Sequence, residues 1–148
     1  MNTRRAALLQ LAAGSALLAT MRPARAAEPT LDEAIAAWAA GAKPRDGRIA
    51  IDISPLVDNG NAVPITLRID SPMTSADHVR EIALFNQSNP QRDIARWQLG
   101  PANGRAEVST RIRLSTTQQL AALARMSDGS VWQQRVEVIV TLAACVES

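Results

Sequence analysis

From Ile49 onward, apolar and polar side chains alternate in short runs. Ile49, Ile51 and Ile53 are separated by Ala50 and Asp52, and Val63, Ile65, Leu67 and Ile69 by Pro64, Thr66 and Arg68. Val108, Thr110, Ile112 and Leu114 are separated by Ser109, Arg111 and Arg113, and Val136, Val138 and Val140 by Glu137 and Ile139. A period of two predicts strands with one buried and one wetter face. Residues 78–86 and 92–99 are less regular but fit strands, whereas 119–126 fits helix or strand by its own composition. Ser127-Asp128-Gly129-Ser130 reads as a hairpin connection, which draws 119–126 and 131–142 into an antiparallel pair. Ahead of the strands the period changes. Thr30 with Glu33 forms a capping box, and Leu31, Ile35 and Trp38 make one apolar stripe, so a helix is predicted over 31–40. Residues 41–47 read as a loop from their Gly and Pro content. Further turn signals stand at Asp58-Asn59-Gly60-Asn61, Ser71-Pro72, Asn89-Pro90 and Pro101-Ala102-Asn103-Gly104. About seven short strands with turns between them predict an all-β domain, an immunoglobulin-like antiparallel β-sandwich with a short N-terminal helix.

The first residues obey a different logic. Arg4 and Arg5 precede an apolar stretch from Ala6 to Ala19, broken by Gln10, Gly14 and Ser15, and Ala24-Arg25-Ala26 offers small residues for cleavage. Residues 1–26 are expected to be an export signal, with an apolar stretch shorter than the ~20 residues a bilayer span needs. The paired arginines and weak hydrophobicity point to the twin-arginine route, with Ala7 where an aromatic residue is often found. That route exports folded cargo, so a partner without its own signal can travel bound to this chain. The expected organisation is a signal over 1–26, a β-sandwich over 27–142 and a C-terminal arm over 143–148.

Removing the signal reverses the charge. The full chain carries sixteen basic and fourteen acidic residues; four of the former (Arg4, Arg5, Arg22 and Arg25) and none of the latter lie in 1–26. The remainder balances at −2, with no basic run suited to nucleic acid and no stretch suited to a membrane span.

The candidate chemistry is Cys145, the single cysteine, the fourth residue from a chain end. An internal disulfide is impossible with one cysteine, and a thiol at a chain end, expected to be exposed and mobile, can be presented to other molecules. No cofactor or metal is expected. Copper and zinc sites need several His and Cys ligands, and the chain has one histidine, His78. Met73, Met126 and His78 read as core or surface residues, and Trp38, Trp97 and Trp132 as packing. Nucleophilic catalysis of the Cys-His type needs a rigid base beside the nucleophile, which a terminal cysteine does not offer.

Several motifs go further together. Asp58-Asn59-Gly60-Asn61-Ala62-Val63-Pro64-Ile65, then Asp70-Ser71-Pro72-Met73-Thr74 with Asp77-His78-Val79, resemble the SoxY family of sulfur-carrier subunits in periplasmic thiosulfate oxidation. So do residues 101–114, from Pro101 to Leu114, and Met126-Ser127-Asp128-Gly129-Ser130. The resemblance implies an immunoglobulin-like fold, a heterodimer with a SoxZ-like subunit, co-export of that subunit, and a periplasmic carrier acted on by the pathway's enzymes rather than an enzyme itself. It also implies that Cys145 is the covalent attachment point for sulfur. Thiosulfate is attached oxidatively by a haem-containing enzyme, a hydrolase releases sulfate, and the remaining sulfur is oxidised or transferred. The arm departs from the family's Gly-Gly-Cys-Gly-Gly: this chain reads Ala143-Ala144-Cys145-Val146-Glu147-Ser148. Alanines and β-branched Val146 restrict the backbone where glycines leave it free. The carboxylate of Glu147 opposes a nearby thiolate or anionic adduct. A non-carrying paralogue that serves as a partner-binding module is the alternative expectation.

Overall fold

A computed structural model describes residues 27–144. Helix α1 (Leu31–Ala39) is followed by β1 (Arg45–Asp46), β2 (Ile49–Asp52), β3 (Leu56–Val57), β4 (Val63–Ile69), β5 (Val79–Asn86), β6 (Asp93–Gln98), a 3-10 turn at Pro101–Asn103, β7 (Glu107–Ile112), β8 (Gln118–Met126) and β9 (Val131–Val140). The larger sheet runs β1-β9-β8-β5-β6, with β3 also on β9; the smaller runs β2-β4-β7. The long pairings are antiparallel. Only the two-residue strands β1 and β3 add to β9 in parallel.

The main core lies between the sheets. Ile49, Val63, Ile65, Leu67, Ile69 and Ile112 from the small sheet meet Ile82, Leu84, Leu120, Ala122, Ala124 and Val138 from the large one. Those of the small sheet, with Val138, are the inward members of the alternating runs, as the period of two requires. The opposite face of the large sheet is covered by α1. Leu31, Ile35 and Trp38 pack on Ala83, Phe85, Ala121, Leu123 and Val131. Strands β5 and β8 are therefore buried on both faces, and neither alternates. That is why residues 119–126 fit helix as well as strand: an apolar run with two covered faces has no wet side to mark its period. The pairing with β9 makes the segment a strand.

Local signals explain the ends of α1. Thr30 Oγ1 accepts from Glu33 N at 3.3 Å, and Glu33 Oε2 accepts from Thr30 N at 2.7 Å. The bonds from Thr30 hold the exposed Glu33 carboxyl below the usual glutamate range. The helix stops one residue earlier than expected, because Ala40 turns left-handed at φ 52° while its N–H still bonds Ala36 O. No basic residue occupies the last turn. Instead Arg125 on β8 donates to Trp38 O, stacks on the Trp38 ring at 4.6 Å, and stands 3.8 Å from Glu81, which accepts from Trp38 Nε1. A guanidinium from the sheet thus supplies the cation that the helix C-terminus favours.

One further detail departs from the sequence expectation. The 41–47 loop contains β1, held by Arg45 and Arg48 over the Trp132 ring at 5.5 and 5.2 Å. The three tryptophans do pack as expected: Trp132 and Trp97 lie partly buried against the main core, and Trp38 is buried under the helix. Pro64 sits in the middle strand of the small sheet without breaking it. β2 ends with Asp52 opposite Thr66, so Pro64 needs no N–H on that side.

If α1 is an integral layer, Trp38→Ala removes its largest buried side chain and the Arg125 stack. The expected cost is about 3–5 kcal/mol in denaturant unfolding. A loss below about 1 kcal/mol would mean that the sheet face is stable without its cover.

Candidate functional site

The chain does not leave the body at the end of β9. Val140 N donates to Thr117 Oγ1 at 3.0 Å, and Thr141 N donates to Val57 O at 3.0 Å. Gly60 N then donates to Leu142 O at 2.9 Å, Leu114 N to Gly60 O at 2.8 Å, and Ala144 N to Leu114 O at 3.1 Å. Leu142 and Ala143 are exposed, but Ala144 is only 5% exposed. Backbone bonding to the body therefore continues through Ala144. Cys145 itself lies outside the described residues, as do residues 1–26 and 146–148.

Gly60 is the pivot of this clamp. A Cβ added there would stand 2.2 Å from Leu114 O, 3.0 Å from Ala144 N and 3.2 Å from Val140 Cγ1. Its φ is not positive, so close approach and not conformational freedom demands glycine. The Asp58-Asn59-Gly60-Asn61 turn, legible in the sequence only as a turn, is where two chain segments pass with no room for a side chain.

The acceptor Leu114 is fixed from both sides by one residue. Asn89 Nδ2 donates to Arg113 O at 2.8 Å, and Asn89 Oδ1 accepts from Ser115 N at 3.0 Å. The same oxygen accepts from Ser115 Oγ at 3.0 Å and Gln118 Nε2 at 2.8 Å. Asn86 Oδ1 accepts from Asn89 N at 2.8 Å, and Gln118 Oε1 from Ser88 N at 2.9 Å. Asn86 and Gln118 are the buried polar residues of the core, and their burial is tolerated because their amides are bonded. Sequence reasoning reached Asn89 only as a turn former before Pro90.

The other candidates fall elsewhere. His78 lies beside Ser127, whose N donates to His78 O at 2.8 Å, and its Nδ1 is 2.9 Å from Thr74 O. That is the far end of β8 from the clamp, roughly 25 Å along a nine-residue strand. Met73 and Met126 are buried. A groove of about 470 Å³ lies between α1 and β6, lined by Trp38, Arg92, Arg96 and Arg125 among others. Its arginines are committed: Arg92 to the carbonyls of Pro29 and Asn89, Arg96 to Asp93, and Arg125 to Trp38 O. Among the described residues no group of three or more His, Cys, Asp or Glu is placed to hold a metal ion. Nor is any helix among them long and apolar enough to cross a membrane.

Residues 35–145 match the family described as "Sulfur oxidation protein SoxY". The chain belongs to the SoxY family. The matched span ends on Cys145, one residue past the clamp. No curated protein matches the chain significantly. Among solved structures it is similar to a superoxide reductase (neelaredoxin) from Ignicoccus hospitalis, at 17% identity and a TM-score of 0.58, over 64% of this chain and 80% of that one. It is also similar to a variant of that reductase, at 19% identity and a TM-score of 0.56, over 81% and 99%. A superoxide reductase from Nanoarchaeum equitans is similar at 15% identity and a TM-score of 0.55, over 66% and 99%. At these identities the likeness is one of fold, and chemistry is argued from the site.

Gly60→Ala is expected to destabilise this SoxY-family protein by about 1–3 kcal/mol through overpacking. Asn89→Ala is expected to cost about 1–3 kcal/mol by stranding the carbonyl and amide it serves. Both variants should speed hydrogen exchange at the Ala144 amide more than at Ile82 in the core. Unchanged exchange at Ala144 would show that the clamp does not depend on either residue.

Proposed function

We propose that this protein is a sulfur carrier of thiosulfate oxidation, with Cys145 as the covalent attachment point. The family match that runs through residue 145 carries this reading. The clamp supports it, because Ala144 is tied to the body immediately before the only thiol of the chain. In the first step the Cys145 thiolate joins the outer sulfur of thiosulfate, forming Cys–S–S–SO3⁻ and passing two electrons to a haem-containing enzyme. Water then attacks the terminal sulfur and releases sulfate with two protons. A persulfide remains on Cys145, to be oxidised or transferred. The chain bears the substrate, other enzymes act on it, and no cofactor of its own is required.

The rest of the assignment follows the same family logic. The two facing sheets are read as an immunoglobulin-like sandwich, residues 1–26 as an export signal of twin-arginine type, and the compartment as the periplasm. A SoxZ-like subunit is the expected heterodimer partner, exported with this chain.

Chain geometry bears on how the thiol is delivered. One residue beyond an anchored position reaches at most about 3.6 Å along an extended backbone, whereas release of Thr141 to Ala144 would give five residues a reach of roughly 17 Å. Ala144 stands where the family pattern has glycine, and its methyl-bearing side chain is buried. That favours the anchored form over a loose arm. It is also the observation behind a second reading, in which the tail is too restrained for efficient loading and the protein works as a partner-binding module.

Intact mass measured on protein from thiosulfate-grown cells should show a sulfur-containing adduct that the Cys145→Ala protein lacks, and the variant strain should lose thiosulfate oxidation. No adduct, with the variant strain still oxidising thiosulfate normally, would remove the carrier role. Glycines restored at 143, 144, 146 and 147 separate the two readings. A large gain in loading by purified enzymes favours the restrained module, and unchanged efficient loading favours the active carrier.

A further inference from the structure

The clamp holds a chemically labile dipeptide at its pivot. Gly60 must be glycine, because an added Cβ would stand 2.2 Å from Leu114 O. The residue before it is Asn59, which is exposed, while Gly60 is buried. An asparagine amide followed by glycine is open to attack by the next backbone nitrogen, since no Cβ shields that nitrogen. The fold treats the two halves of that reaction differently. Asn59 Oδ1 accepts from Asn61 N and from Asn61 Nδ2, both at 2.9 Å. The first bond closes an Asx turn that carries the carboxamide across Gly60. Two donors on Oδ1 draw charge toward that oxygen, which favours attack at Cγ. The nucleophile is withheld. Gly60 N donates instead to Leu142 O at 2.9 Å, on the segment after β9.

We propose that Asn59 is a self-modification site, whose deamidation through Gly60 N is held back by the hydrogen bond to Leu142. When the segment after β9 is released, Gly60 N gives its proton to a water-derived base and bonds to Asn59 Cγ. The Cγ–Nδ2 bond breaks, and the side-chain nitrogen leaves as ammonia with a proton from solvent. A five-membered succinimide results. Water opens that ring at either carbonyl: breaking Cγ–N gives aspartate, and breaking the bond from the backbone carbonyl carbon of residue 59 to N gives isoaspartate. Overall one amide and one water become a carboxylate and ammonium, and no electrons are transferred. Isoaspartate routes the main chain through the former side chain and lengthens it by one carbon. The pivot has no space for that, since even a Cβ would meet Leu114 O, Ala144 N and Val140 Cγ1. The modified turn therefore does not rebuild the clamp, and a reversible opening becomes a permanent one. The chemistry is independent of any sulfur on Cys145. The same dipeptide recurs at Asn103–Gly104, where Gly104 is exposed and its N donates to Pro101 O within the local 3-10 turn. That second site depends on no distant segment and serves as an internal reference.

The purified protein is incubated in heavy-oxygen water at fixed pH. Label at residues 59 and 103 is read by peptide mass spectrometry, and isoaspartate is identified by enzymatic methyl transfer. Native protein is compared with protein unfolded in denaturant and with two variants that loosen the clamp from opposite sides. Asn89→Ala frees the residues around Leu114, and Ala144→Pro removes the N–H that bonds Leu114 O. In denaturant both sites convert, residue 59 to a mixture that contains isoaspartate. In the native chain residue 59 is slowed more than residue 103. Each variant raises the 59-to-103 ratio about fivefold or more, the shift in an opening equilibrium expected from one lost hydrogen bond. Protein enriched in isoaspartate at residue 59 exchanges its Ala144 amide faster than native protein. Equal slowing of the two sites by the native fold overturns the gating, as does an unchanged ratio in both variants when each unfolds at a native-like temperature. A variant that unfolds globally raises both sites in step, and the native-against-unfolded comparison then decides. Aspartate with no isoaspartate overturns the cyclisation through Gly60. Native-like protection of the Ala144 amide in the isoaspartate-containing protein overturns the permanent opening.

Discussion

Strands β5 and β8 are covered on both faces, and the architecture follows from that constraint. One face needs the small sheet, which brings Ile65 and Leu67 over Leu84 and Leu120. The other needs α1, which brings Ile35 and Trp38 over Phe85 and Leu123. Ala83 and Ala121 on the helix side keep that layer close. Arg125 and Glu81 meet Trp38 at the edge of the helix contact with their charges 3.8 Å apart, although Arg125 Nε itself is buried without a hydrogen bond. A rigid central pair of strands then holds Gln118 and Asn86 at one end of the sheet, where their amides organise the loops.

At that end the stabilising interactions are polar and local. The clamp is a sequence of backbone hydrogen bonds linking the chain after β9, the Gly60 turn and Leu114. Each is worth about 1 kcal/mol net, so the segment is held without being locked. The Asn89 side chain in turn holds the residues on either side of Leu114. Apolar anchoring of the same segment would bury Leu142, which instead faces solvent.

The arm's composition and the clamp are connected. Glycine in place of Ala144 would enlarge the conformational freedom of the chain before it docks and would remove a buried methyl. Alanine does the reverse and favours the bonded, buried position of residue 144.

The strands with one wet face were legible from their alternation alone, as in Val63–Ile69 and Glu107–Ile112, because side chains point to opposite faces with a fixed period. The capping box at Thr30 and the hairpin at Ser127–Ser130 were legible for a similar reason: each depends on residues within four positions of one another. The central strands were legible less directly, since burial on both faces erases the period: residues 78–86 merely fit a strand, and 119–126 was drawn into one by the hairpin at Ser127–Ser130. Strands β1 and β3, two residues each, were not legible, because they exist only where β9 offers an edge. Cys145 stood out in the sequence by its singularity. What fixed the approach to it was decided by tertiary structure, because Gly60, Asn89 and Leu114 lie far apart along the chain and acquire their meaning only where folding brings three backbones within hydrogen-bonding distance.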